Sequence, residues 1–176
     1  MDDAEEKILK LELRLAQLDR VDECQGNFLS FVRTMWPEFI TGKHHEIIAE
    51  KLERVAKGEL KRLIVNMPPR HTKSEFASYL FPAWMIGKNP SMKIIQATHT
   101  TELAVGFGRK IKNLLERDDY QDIFSESRLS ADSKASGRWD TARGGMYYAV
   151  GVGSNLAGRG GDLIVIDDPH SEQTAM

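Results

Sequence analysis

The chain has 176 residues, is 41% hydrophobic, and carries 24 Lys and Arg against 26 Asp and Glu, a formal net charge of −2. That length suits one domain with a full core, and the charge balance excludes a global basic field for nucleic acid, so any DNA contact must be a local patch. The single cysteine, Cys24, excludes an internal disulfide and points to a reducing compartment; no apolar run reaches membrane-spanning length, and the acidic start Met1-Asp-Asp-Ala-Glu-Glu is unlike a signal peptide.

Residues 3 to 20 predict a charged amphipathic helix. Ile8, Leu11, Leu15 and Leu18 recur at 3-4-3 spacing. Leu11, Leu13 and Leu15 also alternate as a strand would, but the Glu, Lys and Arg between them favour helix. Packing against the body is the first expectation, and a partner helix or coiled coil the alternative. Asn27 caps a predicted second helix to about Trp36, with Phe28, Phe31, Val32 and Met35 on its buried side, and Pro37 breaks it. A third helix is predicted from His45 to Lys57, carrying Ile47, Ile48, Leu52 and Val55 and ended by Gly58. His44 and His45 have no Cys or carboxylate set at metal-ligand spacing. Packing or capping comes first for them, and a hydrogen-bonding or stacking role second.

Leu63-Ile-Val-Asn-Met-Pro-Pro-Arg-His-Thr-Lys-Ser74 follows. Leu63 to Val65 is a predicted strand stopped by two prolines, which cannot donate to a ladder. A helix is predicted from Glu75 to Ile86. Strand, tight loop, Lys-Ser, helix is the layout of a phosphate-binding loop. In it, Lys73 reaches the β- and γ-phosphates and the Ser74 hydroxyl holds Mg²⁺. The helix start offers unpaired N–H groups to the same phosphates. The pattern G-x-x-x-x-G-K-[ST] has Met67 and Thr72 where it wants glycine, and a plain strand-to-helix turn with an exposed lysine is the alternative.

Gly87-Lys-Asn-Pro90 is a turn, and Lys93 to Thr98 a second strand. Thr100 or Thr101 caps a helix through about Arg117, which carries Leu103, Val105, Phe107, Ile111, Leu114 and Leu115. This order implies neighbouring parallel strands. Arg109, Lys110 and Lys112 give the helix a basic side, read as a solvated face. Asp118 to Ser136 is irregular, with an apolar turn at Ile123 and Phe124. Arg138 to Thr141 and Met146 to Val150 flank Gly144-Gly145 as a hairpin. The glycine-rich run Gly151 to Gly161 is read as a nucleotide- or DNA-facing loop, with Arg159 able to meet phosphate, and a flexible linker as the alternative. Asp162-Leu-Ile-Val-Ile-Asp-Asp168 is an apolar strand ending in two acids, which fits a parallel sheet covered on both faces. Carboxylates at such a strand end lie where α/β sheets bind ligands. Asp167 is placed to hold Mg²⁺, and Asp168 to orient or deprotonate an attacking water. The alternative for Asp-Asp-Pro is a turn.

Pro68-Pro-Arg-His-Thr-Lys-Ser74, Gly151-Val-Gly with Gly158-Arg-Gly160, and Leu163-Ile-Val-Ile-Asp-Asp-Pro-His170 together resemble the large subunit of tailed-bacteriophage terminase, in its N-terminal ATPase domain. The likeness runs from about Phe28 to the end. It implies an α/β P-loop NTPase of the RecA-like ASCE type, with a mainly parallel sheet flanked by helices. Residues 1–58 form an N-terminal helical region and 59–176 the ATPase core. It implies Mg²⁺-dependent ATP hydrolysis driving double-stranded DNA through a portal protein into a procapsid. A homo-oligomeric ring, a small terminase subunit as partner, no membrane, and the cytoplasm of the infected bacterial host follow from the same resemblance. By it, Lys73 and Ser74 are the Walker A lysine and hydroxyl, Arg70 contacts the γ-phosphate, Asp167 is the metal carboxylate, and Asp168 stands in the place usually held by a catalytic Glu. Pro69, Arg70, His71, Thr72, Lys73, Ser74 and Glu75 line the nucleotide, and His45 substitutes for an adenine-contacting glutamine. Arg138, Arg143 and Arg159 are candidates for an arginine supplied in trans. The coupling motif and the nuclease domain expected after Asp168 lie outside this sequence, so no nuclease activity is expected of it. Two other functions stay open: a helicase-type translocase, and a nucleotide-binding or assembly module without turnover.

Overall fold

The computed structural model describes residues 3–133, 135–154 and 158–170. It is an α/β structure built on a four-stranded mixed, mostly parallel sheet flanked by helices. The elements are α1 (Asp3–Gly26), α2 (Phe28–Met35), α3 (Lys43–Ala56), a π-helical segment (Glu75–Leu80) running into α4 (Phe81–Lys88), β1 (Lys93–Thr98), α5 (Thr101–Leu115), α6 (Asp118–Ile123), β2 (Arg138–Asp140), β3 (Met146–Gly151) and β4 (Leu163–Asp167).

Local signals place most of these. The Asn27 side chain accepts from Ser30 N at 2.8 Å, capping α2. Phe28, Phe31, Val32 and Met35 are all buried, as their spacing predicts. Gly58, at φ 74°, takes the left-handed conformation that follows the end of α3. Between the two candidates, Thr100 caps α5, accepting from Leu103 N at 3.3 Å. Ile47 and Leu103, expected on apolar faces, are exposed. The segment after α5 holds a short helix, α6, rather than irregular chain throughout, and it buries Tyr120 and Ile123.

The sheet order is β2-β3-β1-β4. β1 runs parallel to β3 and to β4, while β2 and β3 form the predicted antiparallel hairpin. One face carries Ile94, Tyr147 and Ala149 into the main core beneath the helices. Phe28 sits at the centre of that core, edge-on to Phe76 and Phe81 at 5.7 and 5.6 Å and tilted against Trp84 at 5.4 Å. The buried indole of Trp84 donates to Cys24 O at 2.8 Å, tying α1 to α4. α5 lies close on β3 because Gly108 has no Cβ; a methyl there would meet Tyr147 Cε1 at 2.8 Å.

Four expectations are corrected. Leu63 to Val65 is extended, with alternating burial, but belongs to no ladder. A β-branched run favours a strand, yet a ladder also needs a neighbour, and β4 is the last strand in the order. The helix after the loop is not uniform. In a straight α-helix Pro82 would deny a donor to the Ser78 carbonyl and its ring would collide with it; the chain widens into a π turn just before that proline. β4 is not covered on both faces. Ile164 and Ile166, in register with Ile95 and Ala97, are 58% and 63% exposed on the outer face. Finally, α1 packs only at its end. Residues 3 to 20 are exposed, and Cys24 is its one buried residue.

A candidate phosphate site at the carboxyl end of the sheet

The site forms where β4 ends and the π-helical segment begins. Lys73 Nζ donates to Asp168 Oδ1 at 2.5 Å and lies 3.7 Å from Asp167 Oδ1. Two segments 94 positions apart (167 − 73) thus meet around one cation. Their environments differ. The Asp167 side chain is 8% exposed and Asp168 is 63% exposed. The hydrogen bond to Asp168 raises the Lys73 pKa above its ordinary value, overcoming partial burial, and the two carboxylate charges add to the rise.

Asp167 is fixed from below. The fully buried Ser78 hydroxyl donates to Asp167 Oδ2 at 2.8 Å. Sequence reasoning assigned the hydroxyl of this site to Ser74 and missed Ser78. The available signal was a serine inside the apolar run Phe76 to Ile86, where a buried hydroxyl needs a partner. Ser74 starts the π segment with helical dihedrals and makes no side-chain capping bond. Asp168 is held by its backbone: His99 N donates to Asp168 O at 3.1 Å, closing β1 onto β4, and φ at Asp168 is 41°.

The loop before Lys73 is equally constrained. Arg70 and Thr72 have φ of 64° and 62°, left-handed values that cost a β-branched residue such as Thr72 on the order of 1–2 kcal/mol. Bonds around the loop hold it there. His45 Nδ1 accepts from Gly42 N at 2.9 Å, so the neutral ring carries its proton on Nε2 and donates to Thr72 Oγ1 at 2.7 Å. Thr72 Oγ1 in turn donates to His71 O at 2.6 Å, and His71 Nδ1 donates to Pro69 O at 2.9 Å. His45 is buried, stacked on Phe76 at 5.0 Å and edge-on to Phe39 at 4.7 Å. Burial first, then the neighbouring His44 and His71, lowers its pKa.

Of the predicted site residues, the structure brings Lys73, Asp167 and Asp168 together and puts Pro69, His71, Thr72 and His45 into one hydrogen-bonded loop. Arg70 is exposed on that loop. Glu75 bonds Lys110 of α5 at 2.7 Å. Arg159 lies on the outer sheet face, its guanidinium 4.1 Å from the Tyr148 ring centre, and Gly161 packs against Ile95. The flank from Gly158 thus crosses the outer face, whereas at the other flank Val152 N donates to Thr98 O at 2.8 Å, at the carboxyl end of β1; Asn155 to Ala157 lie outside the described residues. Arg143 pairs with Glu126, and Arg138 begins β2.

The donor set suits a hard cation. Mg²⁺ takes oxygen ligands, one or two carboxylates with the rest from phosphate and water; Asp167, Asp168 and Ser74 supply oxygen, while the buried Ser78 hydroxyl is committed to Asp167. Among the described residues there is no group of three or more His, Cys, Asp or Glu able to form an all-protein metal cage. Two surface clefts lie elsewhere, one along Gln25, Lys88 and Phe124, the other along Trp36, Tyr79 and Arg117; neither is lined by Lys73, Asp167 or Asp168. No protein-family model matches this chain, and no curated protein sequence matches it.

Proposed function

We propose that the chain is a P-loop ATPase whose hydrolysis drives double-stranded DNA into a viral procapsid. The observation that carries the nucleotide half is the convergence of the Lys73 ammonium on Asp168 and Asp167 at the end of a parallel strand and the start of a helix. The packaging half rests on the resemblance to the terminase large subunit in the loop, the glycine-rich run and the twin-acid strand.

On this reading the substrate is ATP and the cofactor Mg²⁺, held by Asp167 with a serine hydroxyl. Bound there, Mg²⁺ would neutralise charge on the β- and γ-phosphates. Lys73 leaves Asp168 and takes the phosphates, assisted by Arg70 and by the helix-start N–H groups. That exchange frees the Asp168 carboxylate to accept a proton from water. The water oxygen bonds to the γ-phosphorus as the bond to the β,γ-bridging oxygen breaks, releasing ADP and phosphate. Ser78 keeps Asp167 oriented throughout. Double-stranded DNA, a portal protein, a small terminase subunit and a homo-oligomeric ring are the partners this reading requires, in the cytoplasm of an infected bacterial host. Among the described residues no helix is long and apolar enough to cross a membrane.

A second reading has its own support. Lys73 and Asp168 are closed on each other, and Thr72 holds a strained dihedral without glycine. Both features favour a module that binds nucleotide without turning it over. Phosphate-release assays decide between the two. Turnover that disappears in Lys73→Ala supports the ATPase; turnover retained in Lys73→Ala overturns the site. ATP binding at Lys73 with no phosphate released selects the second reading.

A further inference from the structure

The first eighteen described residues of α1 stand clear of the body. Burial begins only at Val21, and the helix is anchored at its far end by Cys24 and by Gln25 Nε2, which donates to Ile123 O at 2.6 Å. The free part carries an unpartnered seam. Ile8, Leu11, Leu15 and Leu18 are between 48% and 69% exposed, and Ala4 extends the 4-3-4-3 spacing by one step. This is the heptad period of a two-helix coil, with Ile8 and Leu15 at one core position and Leu11 and Leu18 at the other.

The charges beside the seam identify what covers it. Glu5, Glu12 and Asp19 lie along one flank, Lys7 and Arg14 along the other. In a parallel, in-register pair each basic residue faces the acidic flank of the other helix five positions on. Lys7 then meets Glu12 of the second copy and Arg14 meets Asp19, and the same two pairs form reciprocally. In an antiparallel pair each flank would face itself, like charge on like. Lys7 and Lys10 have i,i+4 bridges to Asp3 and Glu6 within their own helix; all four side chains are exposed, so the bridges are open to exchange. Leu9 and Leu13, also exposed, sit on the opposite face.

We infer that residues 4–18 of α1 bind a second copy of this chain as a parallel two-stranded coiled coil, a contact separate from the Lys73 site.

Sedimentation equilibrium on the whole chain tests this. The expected result is a concentration-dependent species of twice the 19.9 kDa chain mass. Leu15→Asp should abolish it, while Leu9→Ser and Leu13→Ser leave it unchanged. All three changes lie on exposed helix, so circular dichroism should match the parent. Reversing the basic flank with Lys7→Glu and Arg14→Glu should also leave monomer. Mixing that variant with Glu12→Lys and Asp19→Lys should restore the pair. Leu18→Cys should cross-link under mild oxidation, because only parallel helices set that position against itself. Monomer at every concentration, a dimer that survives Leu15→Asp, a three- or four-chain species, or no cross-link at residue 18 each overturns the inference.

Discussion

The Lys73 ammonium and the Asp168 carboxylate, 95 positions apart in the chain, touch at 2.5 Å. Their contact closes the carboxyl end of the sheet, and the two groups are unequally wet: Lys73 is 24% exposed and Asp168 63%. An ion pair so open to water contributes little to folding, about 1 kcal/mol or less. Lys73→Met should therefore shift a urea midpoint only slightly. ATP turnover in the same variant should fall at least about 100-fold, the scale of losing one preorganised charge at a transition state. The raised Lys73 pKa fixes the direction of the alkaline response. Its stabilising contribution is fully present below the ordinary value of 10.5 and is lost as pH rises through the higher folded value. Melting curves in alkaline buffer should show less of this loss in Lys73→Met than in the parent.

His45 should make the loop acid-sensitive. Its folded pKa lies below the ordinary 6.5. Between those two values the unfolded chain takes up a proton that the folded chain refuses. Stability is thus complete above about pH 6.5 and declines as pH falls toward the folded pKa. Among the described residues the groups facing the ring are Gly42 N, Thr72 Oγ1, His44, His71, Phe39 and Phe76, and none of these is an acid that could compensate the new charge. Thermal melts from pH 8 to 5 should show a fall in Tm that His45→Gln reduces.

Ser78 and Ser74 should separate folding from chemistry. Ser78→Ala leaves the buried Asp167 carboxylate without its donor, at a cost of about 1.5–3 kcal/mol. Ser74 makes no capping bond, so Ser74→Ala should be within about 0.5 kcal/mol of the parent while ATP turnover drops. Denaturant titration and phosphate release, measured on both variants, check the pair. Equal destabilisation by the two changes would contradict the assignment.

Gln96 is a stabilisation target. Its side chain is fully buried in β1, and neither amide atom has a hydrogen-bond partner among the described residues. Burying such an amide costs about 1–3 kcal/mol. Methionine keeps the length and drops the polar atoms. Gln96→Met should raise Tm; a lower Tm would show that the amide has a partner in solution.

Features set by a few adjacent residues were legible in the sequence. Asn27 and Thr100 cap helices, Gly58 follows the end of one, and the Gly144 hairpin pairs as its flanks predict. The meeting of Lys73 with Asp167 and Asp168 was also legible, since each lies at a helix start or strand end that an α/β sheet brings to one edge. Features that depend on what lies opposite were not. The spacing of Ile8, Leu11, Leu15 and Leu18 reveals a stripe but not whether anything covers it. Leu63 to Val65 has strand composition, yet pairing belongs to two segments. The run Phe76 to Ile86 is apolar nearly all round, so no period warned of the widened turn before Pro82. Ser78 was hidden by the same uniformity.

The outermost strand has a practical cost. β4 ends the sheet and turns Ile164 and Ile166 toward water, so its rim combines a backbone edge that pairs with no further strand among the described residues with greasy side chains. Such a rim invites strand-by-strand growth between molecules. Heating or concentrating the protein should make it precipitate from this side first, and Ile164→Lys should delay the turbidity while leaving the lysine-aspartate contact at the other end of the strand intact.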